Sequence, residues 1–287
     1  MQGAARPSPD TGQRRTRTSG MTDTDDGPPI LRAKHTDAPS TFSAEGLLRE
    51  ARRQKGVEAG AIPEVCLLDP DGDVVRRLIA EGRCQPEPRW ACYHSAMYRF
   101  TAAGTACGIV GCAVGAPYAV LVAEQMIASG ARLIVSVTSA GQIDAVQPPP
   151  YHVLIDRALR DEGTSYHYLP AADYSPADPE LLDMAGAALA EMDPPVLRGA
   201  TWTTDAPFRE TQAAIAAARA RGVLAVEMEA AGLYAFARAT GARVLCFAHV
   251  TNQMAQVEGD FEKGEGDGST ATLELFQQVV HAWQGER

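Results

Sequence analysis

The stretch GVLAVEMEAAGLYAFARATG, from Gly222 to Gly241, decides the fold class. Its first part, Val223 to Val226, is a short apolar run that predicts a buried strand, and residues 229–240 carry the apolar spacing of a helix. Gly241 lies where that helix is expected to end. Because a strand that runs directly into a helix is the basic unit of α/β proteins, the stretch predicts a protein of this class.

The same alternation extends over most of the chain. Apolar runs rich in β-branched residues predict further buried strands, and helical patterns fall between several of them. We therefore expect a single three-layer α/β domain, with a central mixed, largely parallel twisted sheet flanked by helices. The predicted strands are residues 64–68, 107–114, 133–138, 152–155 and 243–250, and the other predicted helices are residues 74–81, 117–129, 179–192, 210–221 and 271–283.

The ends of this domain follow from composition. Residues 1–29 are rich in Gly, Pro, Ser, Thr, Asp and Arg and lack apolar periodicity, so they predict a disordered leader, within which Met21 is an alternative start. Residues 30–287 are expected to form the folded domain, whose first helix begins after Ser43 as N-cap. The formal net charge of −10 argues against a nucleic-acid or anionic-membrane surface, which leaves a small molecule as the expected partner.

Other sequence features narrow the chemistry and the compartment. The six cysteines form no CxxC pair, which predicts reduced thiols in a cytoplasmic protein. No apolar run reaches the roughly 18 residues that a membrane span requires. The histidines show no metal-ligand spacing, so we expect neither a metal nor another cofactor.

The carboxylates Glu227 and Glu229 bracket Met228 where the strand of the decisive stretch meets its helix. In parallel sheets the ligand crevice lies beyond the carboxyl ends of the strands, and a carboxylate placed there can hold a diol through both of its oxygens. Ribose offers such a diol. The alternative is structural, because acidic residues in a first helical turn are favoured by the helix dipole.

This VEMEA segment resembles the nucleoside phosphorylase superfamily, and the resemblance spans roughly residues 64–283. It implies that Glu229 binds the ribose 2′ and 3′ hydroxyls, that Met228 packs beneath the sugar, and that Glu227 lies at the edge of the base and ribose site. Members of the family usually form dimers, trimers of dimers or hexamers, so the resemblance also implies a homo-oligomer.

Two more segments resemble the family's base pocket. In GATWTTDAPFRET, residues 199–211, Phe208 matches an aromatic residue that borders the base, and Arg209 could reach a base carbonyl; a core phenylalanine and a surface arginine are the alternatives. In RVLCFAHVTN, residues 243–252, Asn252 takes the place of an aspartate that protonates the leaving base in bacterial purine phosphorylases. An amide cannot give up a proton, which favours a 6-oxopurine or uracil over adenine, although asparagine is also an ordinary turn residue.

A fourth segment, LIVSVTSAGQI at residues 133–143, resembles a glycine-bearing turn of the family near the sugar and its attacking partner. The match implies that Thr138 and Ser139 offer hydroxyls and that the backbone of Gly141 comes close to the ligand. The neutral alternative is that the glycine only permits tight packing.

The phosphate site departs from the family pattern. Ser136 stands where family phosphorylases carry an arginine, and the family's glycine-rich loop is replaced by LDPDGDVVR, residues 68–76. Gly72 and Arg76 remain as candidate phosphate ligands, and Arg89 is a distant match to an arginine lent by a neighbouring subunit. Phosphorolysis needs a cationic, amide-rich cradle, so these losses weaken the case for phosphate as co-substrate.

The same loop is acidic. Asp69, Asp71 and Asp73 would repel a phosphate dianion, and in the related nucleosidases an acidic residue of this loop activates water. Asp71 or Asp73 could therefore act as general base, unless the aspartates only cap the following helix. By a further resemblance, His35 could reach the ribose 5′ hydroxyl of a neighbouring subunit.

Together these features predict an enzyme that cleaves the N-glycosidic bond of a ribonucleoside, with a 6-oxopurine or uracil as base and inorganic phosphate as the family's usual acceptor. Two alternatives stay open. The enzyme could be a nucleosidase that uses water, because Ser136 replaces the phosphate arginine, or the protein could bind nucleosides without turning them over.

Overall fold

The computed structural model describes residues 28–254 and 258–285. Within them the chain forms ten strands and seven helices. The strands are β1 (Val65–Asp69), β2 (Cys84–Pro86), β3 (Met97–Ala102), β4 (Thr105–Gly111), β5 (Leu133–Gln142), β6 (Tyr151–Asp161), β7 (Tyr174–Pro176), β8 (Leu197–Thr204), β9 (Val223–Glu227) and β10 (Val244–Asn252). The helices are α1 (Ala44–Lys55), α2 (Asp73–Ala80), α3 (Ala116–Ala128), α4 (Pro179–Ala188), α5 (Gln212–Ala220), α6 (Ala230–Thr240) and α7 (Ser269–Gly285).

All the strands belong to one mixed sheet, in the order β10-β6-β8-β9-β5-β1-β4-β3-β2, with β7 paired to β6. The pairs at its centre, β5 with β1 and β1 with β4, are parallel, and the β2–β3–β4 end is antiparallel. Helices cover this sheet, and the resulting core has apolar residues of β1, β5 and β10 at its centre. The predicted α/β class with a mixed sheet between helices is confirmed.

One part of the sheet closes on itself. Strand β10 pairs with β5 on one side and with β6 on the other, and β6, β8, β9 and β5 follow in order. These five strands therefore form a closed ring, which removes the exposed edges that an open sheet would have. The ring brings the carboxyl ends of β5, β9 and β10 together at one point.

Most of the predicted elements are present, with shifts of a few residues at their ends. Ser43 is the N-cap of α1, as predicted, because its Oγ accepts a hydrogen bond from the backbone N–H of Gly46 at 3.1 Å. Strands β2, β3, β7 and β8 were not predicted. In β8 the inward positions are held by threonines instead of aliphatic residues, so the apolar signal of a buried strand is missing.

Two further predictions concern the N-terminal segment and the absence of a membrane span. The predicted leader, residues 1–29, lies outside the described residues except for Pro28 and Pro29, so it stays a prediction. None of the helices within residues 28–254 and 258–285 is long and apolar enough to cross a membrane.

Candidate active site

The site is built around Gly141, near the end of β5. Gly141 pairs with Val226 of β9 and with Asn252 of β10, so three strands of the ring meet at this residue. A Cβ at this position would collide with the Sδ of Met254 and lie 3.3 Å from Val226 Cγ1. Glycine at this position therefore makes room for the side chain of Met254, which packs over the junction of the three strands.

A cavity of about 320 Å³ opens beside this junction. Its walls come from the ends of β5, β9 and β10 and from the turn around Pro207–Arg209. This volume suits a small organic ligand such as a nucleobase. Six of the residues predicted from sequence line it together: Ser139, Gly141, Phe208, Glu227, Met228 and Asn252.

Phe208 forms an open wall of this cavity. Its side chain is 98% exposed, which is unusual for a phenylalanine, and Phe261 nearby is 62% exposed. The alternative that Phe208 belongs to the core is wrong. An exposed aromatic face beside a cavity suits stacking against a planar ligand.

Glu227 organises the corner where β9 turns into α6. One carboxylate oxygen accepts hydrogen bonds from the hydroxyls of Thr201 at 3.0 Å and Thr203 at 2.5 Å, and the other accepts the backbone N–H groups of Glu229 and Ala230, both at 2.7 Å. The two amides open helix α6, so Glu227 caps this helix. Burial raises the pKa of Glu227, and the four donors to its two oxygens, which favour the ionised carboxylate, offset only part of this effect.

Glu229 is buried, with 1% of its surface exposed, and its side chain does not cap α6. This excludes the structural alternative for Glu229 and assigns capping to its neighbour Glu227. One oxygen of Glu229 accepts the backbone N–H of Gly115 at 2.7 Å, and the Thr138 hydroxyl also bonds to the carboxylate. Burial and the charge of Glu227 raise the pKa of Glu229, so a ligand that donates hydrogen bonds would favour its ionised form.

Asn252 is buried, and its amide is held by the protein. Its Oδ1 accepts the backbone N–H of Met254 at 2.9 Å, and its Nδ2 lies within hydrogen-bond distance of Ala140 O and Thr251 Oγ1. These contacts fix the orientation of the amide at the cavity wall. Asn252 can therefore hydrogen bond to a ligand but cannot supply a proton.

A second cavity, of about 20 Å³, lies on the other side of Ser139. It has room for about one water molecule. Asp71 lines it, and the Asp71 carboxylate accepts the backbone N–H of Ser139 at 2.7 Å. Glu229 lines neither of these two cavities, and its link to the small one is Thr138, which lines that cavity and hydrogen bonds to the Glu229 carboxylate. The backbone amide of Ser139 is thus occupied by a carboxylate of the protein itself.

The loop before α2 is shaped by Asp69, whose carboxylate accepts the backbone N–H groups of Gly72 at 3.2 Å and Val75 at 2.9 Å. Burial, together with nearby Asp71 and Asp73, raises the pKa of Asp69 to about 7. Gly72 has a φ of +79°, and this left-handed turn begins the helix. Asp69 therefore stabilises this loop and the start of α2, as the capping alternative predicted for these aspartates.

The cations near the small cavity are paired. Asp73 binds Lys263 and Arg76, each at 2.5 Å, and Arg76 also donates to the backbone oxygen of Asp71 at 3.0 Å. Burial raises the pKa of Asp73, but its hydrogen bonds to Lys263 and Arg76 outweigh this and lower it overall. Asp73 is thus a weaker base than predicted, and Arg76 is not free to bind an anion. Lys263, which lines the small cavity, was missed because it lies in a loop without a motif.

Other predicted residues lie away from the two cavities. Arg209 is exposed and does not line the larger cavity, although its neighbour Phe208 does. The guanidinium of Arg89 contacts the backbone oxygen of Ala61 at 3.4 Å, and its predicted role as an arginine lent to a neighbouring subunit stays a prediction. His35 is exposed, and its predicted contact with a neighbouring subunit stays a prediction. Ser136 is buried, and because serine is neutral it contributes no positive charge near Asp71.

The profile of the Phosphorylase superfamily matches residues 64–284. The chain belongs to this superfamily. Among curated relatives, it is 28% identical over 181 residues to a DeoD-type purine nucleoside phosphorylase of Myxococcus xanthus, covering 62% of this chain and 76% of that protein. It is 27% identical over 179 residues to a guanosine phosphorylase of Halorubrum lacusprofundi, covering 61% and 70%.

Solved structures agree on the fold. Uridine phosphorylase of Vibrio fischeri ES114 superposes with a TM-score of 0.64 at 22% identity, covering 78% of this chain and 93% of that one. The same enzyme in complex with 6-hydroxy-1-naphthoic acid gives a TM-score of 0.63 at 20% identity, covering 77% and 90%. The family predicted from the VEMEA segment is confirmed, and with it the prediction of an enzyme of the nucleoside phosphorylase type.

Proposed function

We propose that this enzyme cleaves the N-glycosidic bond of a purine ribonucleoside and transfers the ribosyl group to water. In this reaction the oxygen of water bonds to C1′, the bond between C1′ and the base breaks, and its electron pair leaves with the base. The water proton passes to the carboxylate of Asp71, which acts as general base. The observation that carries this proposal is the hydrogen bond from the Ser139 amide to Asp71 beside a cavity of about 20 Å³.

Charge and space both favour water over phosphate. The small cavity is lined by four aspartates and a single lysine, Lys263, which is already paired with Asp73. A phosphate dianion there would meet net repulsion, and it would have to displace the Asp71 carboxylate from the Ser139 amide. One neutral water molecule would not be repelled by these carboxylates and would leave the hydrogen bond between Asp71 and the Ser139 amide in place. Asp71 is a better base than Asp73, because the Asp73 carboxylate is held by two cations.

Glu229 is proposed to hold the ribose. It lies between Gly115, whose amide it accepts at 2.7 Å, and Thr138, which lines the small cavity. A ribose diol hydrogen bonded to this carboxylate would bring C1′ near both the water and the larger cavity. The partial positive charge that develops on the ribose ring is then stabilised by an ionised carboxylate.

The base is proposed to be a 6-oxopurine that occupies the larger cavity, with Phe208 against its face and Asn252 at its edge. Both Nδ2 contacts of Asn252 are made within the protein, but among the described residues its Oδ1 accepts only the Met254 N–H, so the second lone pair of this oxygen can accept a hydrogen bond from a purine N–H. The curated relatives are named for purine nucleosides and for guanosine, which supports a purine. No cofactor is part of this reaction.

The experiment is cleavage of inosine, guanosine and uridine in phosphate-free buffer and in phosphate, in water enriched in ¹⁸O. We expect free base and ¹⁸O-labelled ribose at a rate independent of phosphate. Asp71→Asn should lower kcat by about 100-fold or more, because an amide cannot accept the proton. Asp183→Asn makes the same chemical change on a carboxylate with 77% exposure and should leave the rate unchanged.

Phosphorolysis is the second candidate, and the names of the curated relatives, a purine nucleoside phosphorylase and a guanosine phosphorylase, favour it. Ribose 1-phosphate as product, formed only when phosphate is present, would establish this alternative and overturn hydrolysis. Nucleoside binding without any product would instead favour the non-catalytic alternative.

A further inference from the structure

Glu210 lies in the wall of the larger cavity, directly after the turn that presents Phe208. Its side chain is partly buried, and it makes no hydrogen bond or ion pair with another described residue. Burial therefore acts on Glu210 without a compensating partner, and it raises the pKa of this carboxyl to about 7. An unpaired carboxyl at the wall of a binding cavity is a candidate for contact with a ligand.

Two carboxyl groups line this cavity among the described residues, Glu227 and Glu210. The two oxygens of Glu227 accept four hydrogen bonds from the protein itself, so this carboxyl is committed to the corner between β9 and α6. Glu210 is therefore the one carboxyl among the described lining residues whose oxygens are free of protein hydrogen bonds and open to a ligand.

The leaving base needs such a proton. When the bond to C1′ breaks, its electron pair makes the purine an anion, and protonation at N7 gives a far better leaving group. Asn252, at the position where relatives of the purine type carry an acid, cannot provide it. The cavity would otherwise hold the base with no group able to neutralise it.

We propose that Glu210 is the general acid of this enzyme and protonates N7 of the departing purine. This rests on the proposed cleavage of a purine nucleoside. The Glu210 carboxyl gives its proton to N7 as the C1′–N9 bond breaks, and the neutral base leaves. The resulting carboxylate regains a proton from solvent through the open side of the cavity, where Phe208 is 98% exposed. Glu210 acts on the base, and Asp71 acts on the water.

The test compares inosine with 7-methylinosine in the unaltered enzyme and in Glu210→Gln. The purine of 7-methylinosine already carries a positive charge at N7, so it leaves without protonation. We expect Glu210→Gln to lower kcat on inosine by about 100-fold or more and to change kcat on 7-methylinosine by less than about threefold. Activity on the methylated substrate also shows that the variant is folded. Glu191→Gln, on an exposed carboxylate, should change neither rate.

A pH profile gives a second readout. For inosine, kcat should fall as the pH rises above about 7, because Glu210 then loses its proton, and this limb should be absent with 7-methylinosine. Equal losses of activity on both substrates, or no loss on either, would overturn the role of Glu210 while leaving nucleoside cleavage intact. Failure of the unaltered enzyme to cleave either nucleoside would overturn the proposed function, and this role with it.

Discussion

Removal of the Glu227 carboxylate tests how the corner between β9 and α6 is held. In Glu227→Ala the backbone N–H groups of Glu229 and Ala230 lose their acceptor in a buried place. Each unsatisfied buried amide costs about 1–3 kcal/mol. The hydroxyls of Thr201 and Thr203 can turn towards other acceptors. Removal of a buried charge also offsets part of the lost stability. We expect the free energy of unfolding to fall by about 2–5 kcal/mol.

Glu227→Gln is the matched control. Its amide oxygen can accept from the same two backbone N–H groups, and its NH₂ can donate to the two threonine hydroxyls, so we expect a loss of only about 1–2 kcal/mol. Urea unfolding followed by tryptophan fluorescence measures both, and Trp202 on β8 reports on the corner itself. Equal destabilisation by alanine and glutamine, or less than about 1 kcal/mol for alanine, would refute the capping role.

Three further outcomes are expected. Burial raises the pKa of Glu229 from 4.5 to about 8, so the folded protein keeps this proton at pH values where the unfolded chain has lost it. The free energy of unfolding should therefore fall as the pH rises between these values. Glu229→Gln should flatten this fall in urea titrations at successive pH values. Gly72→Ala should lower stability by about 1–2 kcal/mol in thermal unfolding, because φ is +79° and the new Cβ would lie 2.6 Å from Cys112 Sγ. Tyr234→Phe should cost about 1–3 kcal/mol in urea unfolding, since the hydroxyl accepts Cys246 N–H at 3.0 Å and donates to the backbone oxygen of Ile155 at 2.6 Å.

The site divides into residues that a motif could indicate and residues that only contacts reveal. The resemblance of the VEMEA segment assigned the ribose to Glu229 and the edge of the site to Glu227, but it did not indicate that Glu227 caps α6. Their hydrogen bonds separate them: one accepts four donors and caps a helix, and the other lies against Gly115 and Thr138. Glu210 and Lys263 gave no signal, because single charged residues in loops are common.

The sequence by itself determined the α/β class, the family and the strand-to-helix corner, because apolar periodicity and a compact motif are local properties of the chain. Only the tertiary structure decided that five strands close into a ring and that Gly141 joins three of them. It also decided that Asp71 takes the amide of Ser139, 68 positions away in the chain. Such contacts join segments that are far apart in the chain. Local sequence patterns do not predict them, because long-range pairing depends on how the whole core packs.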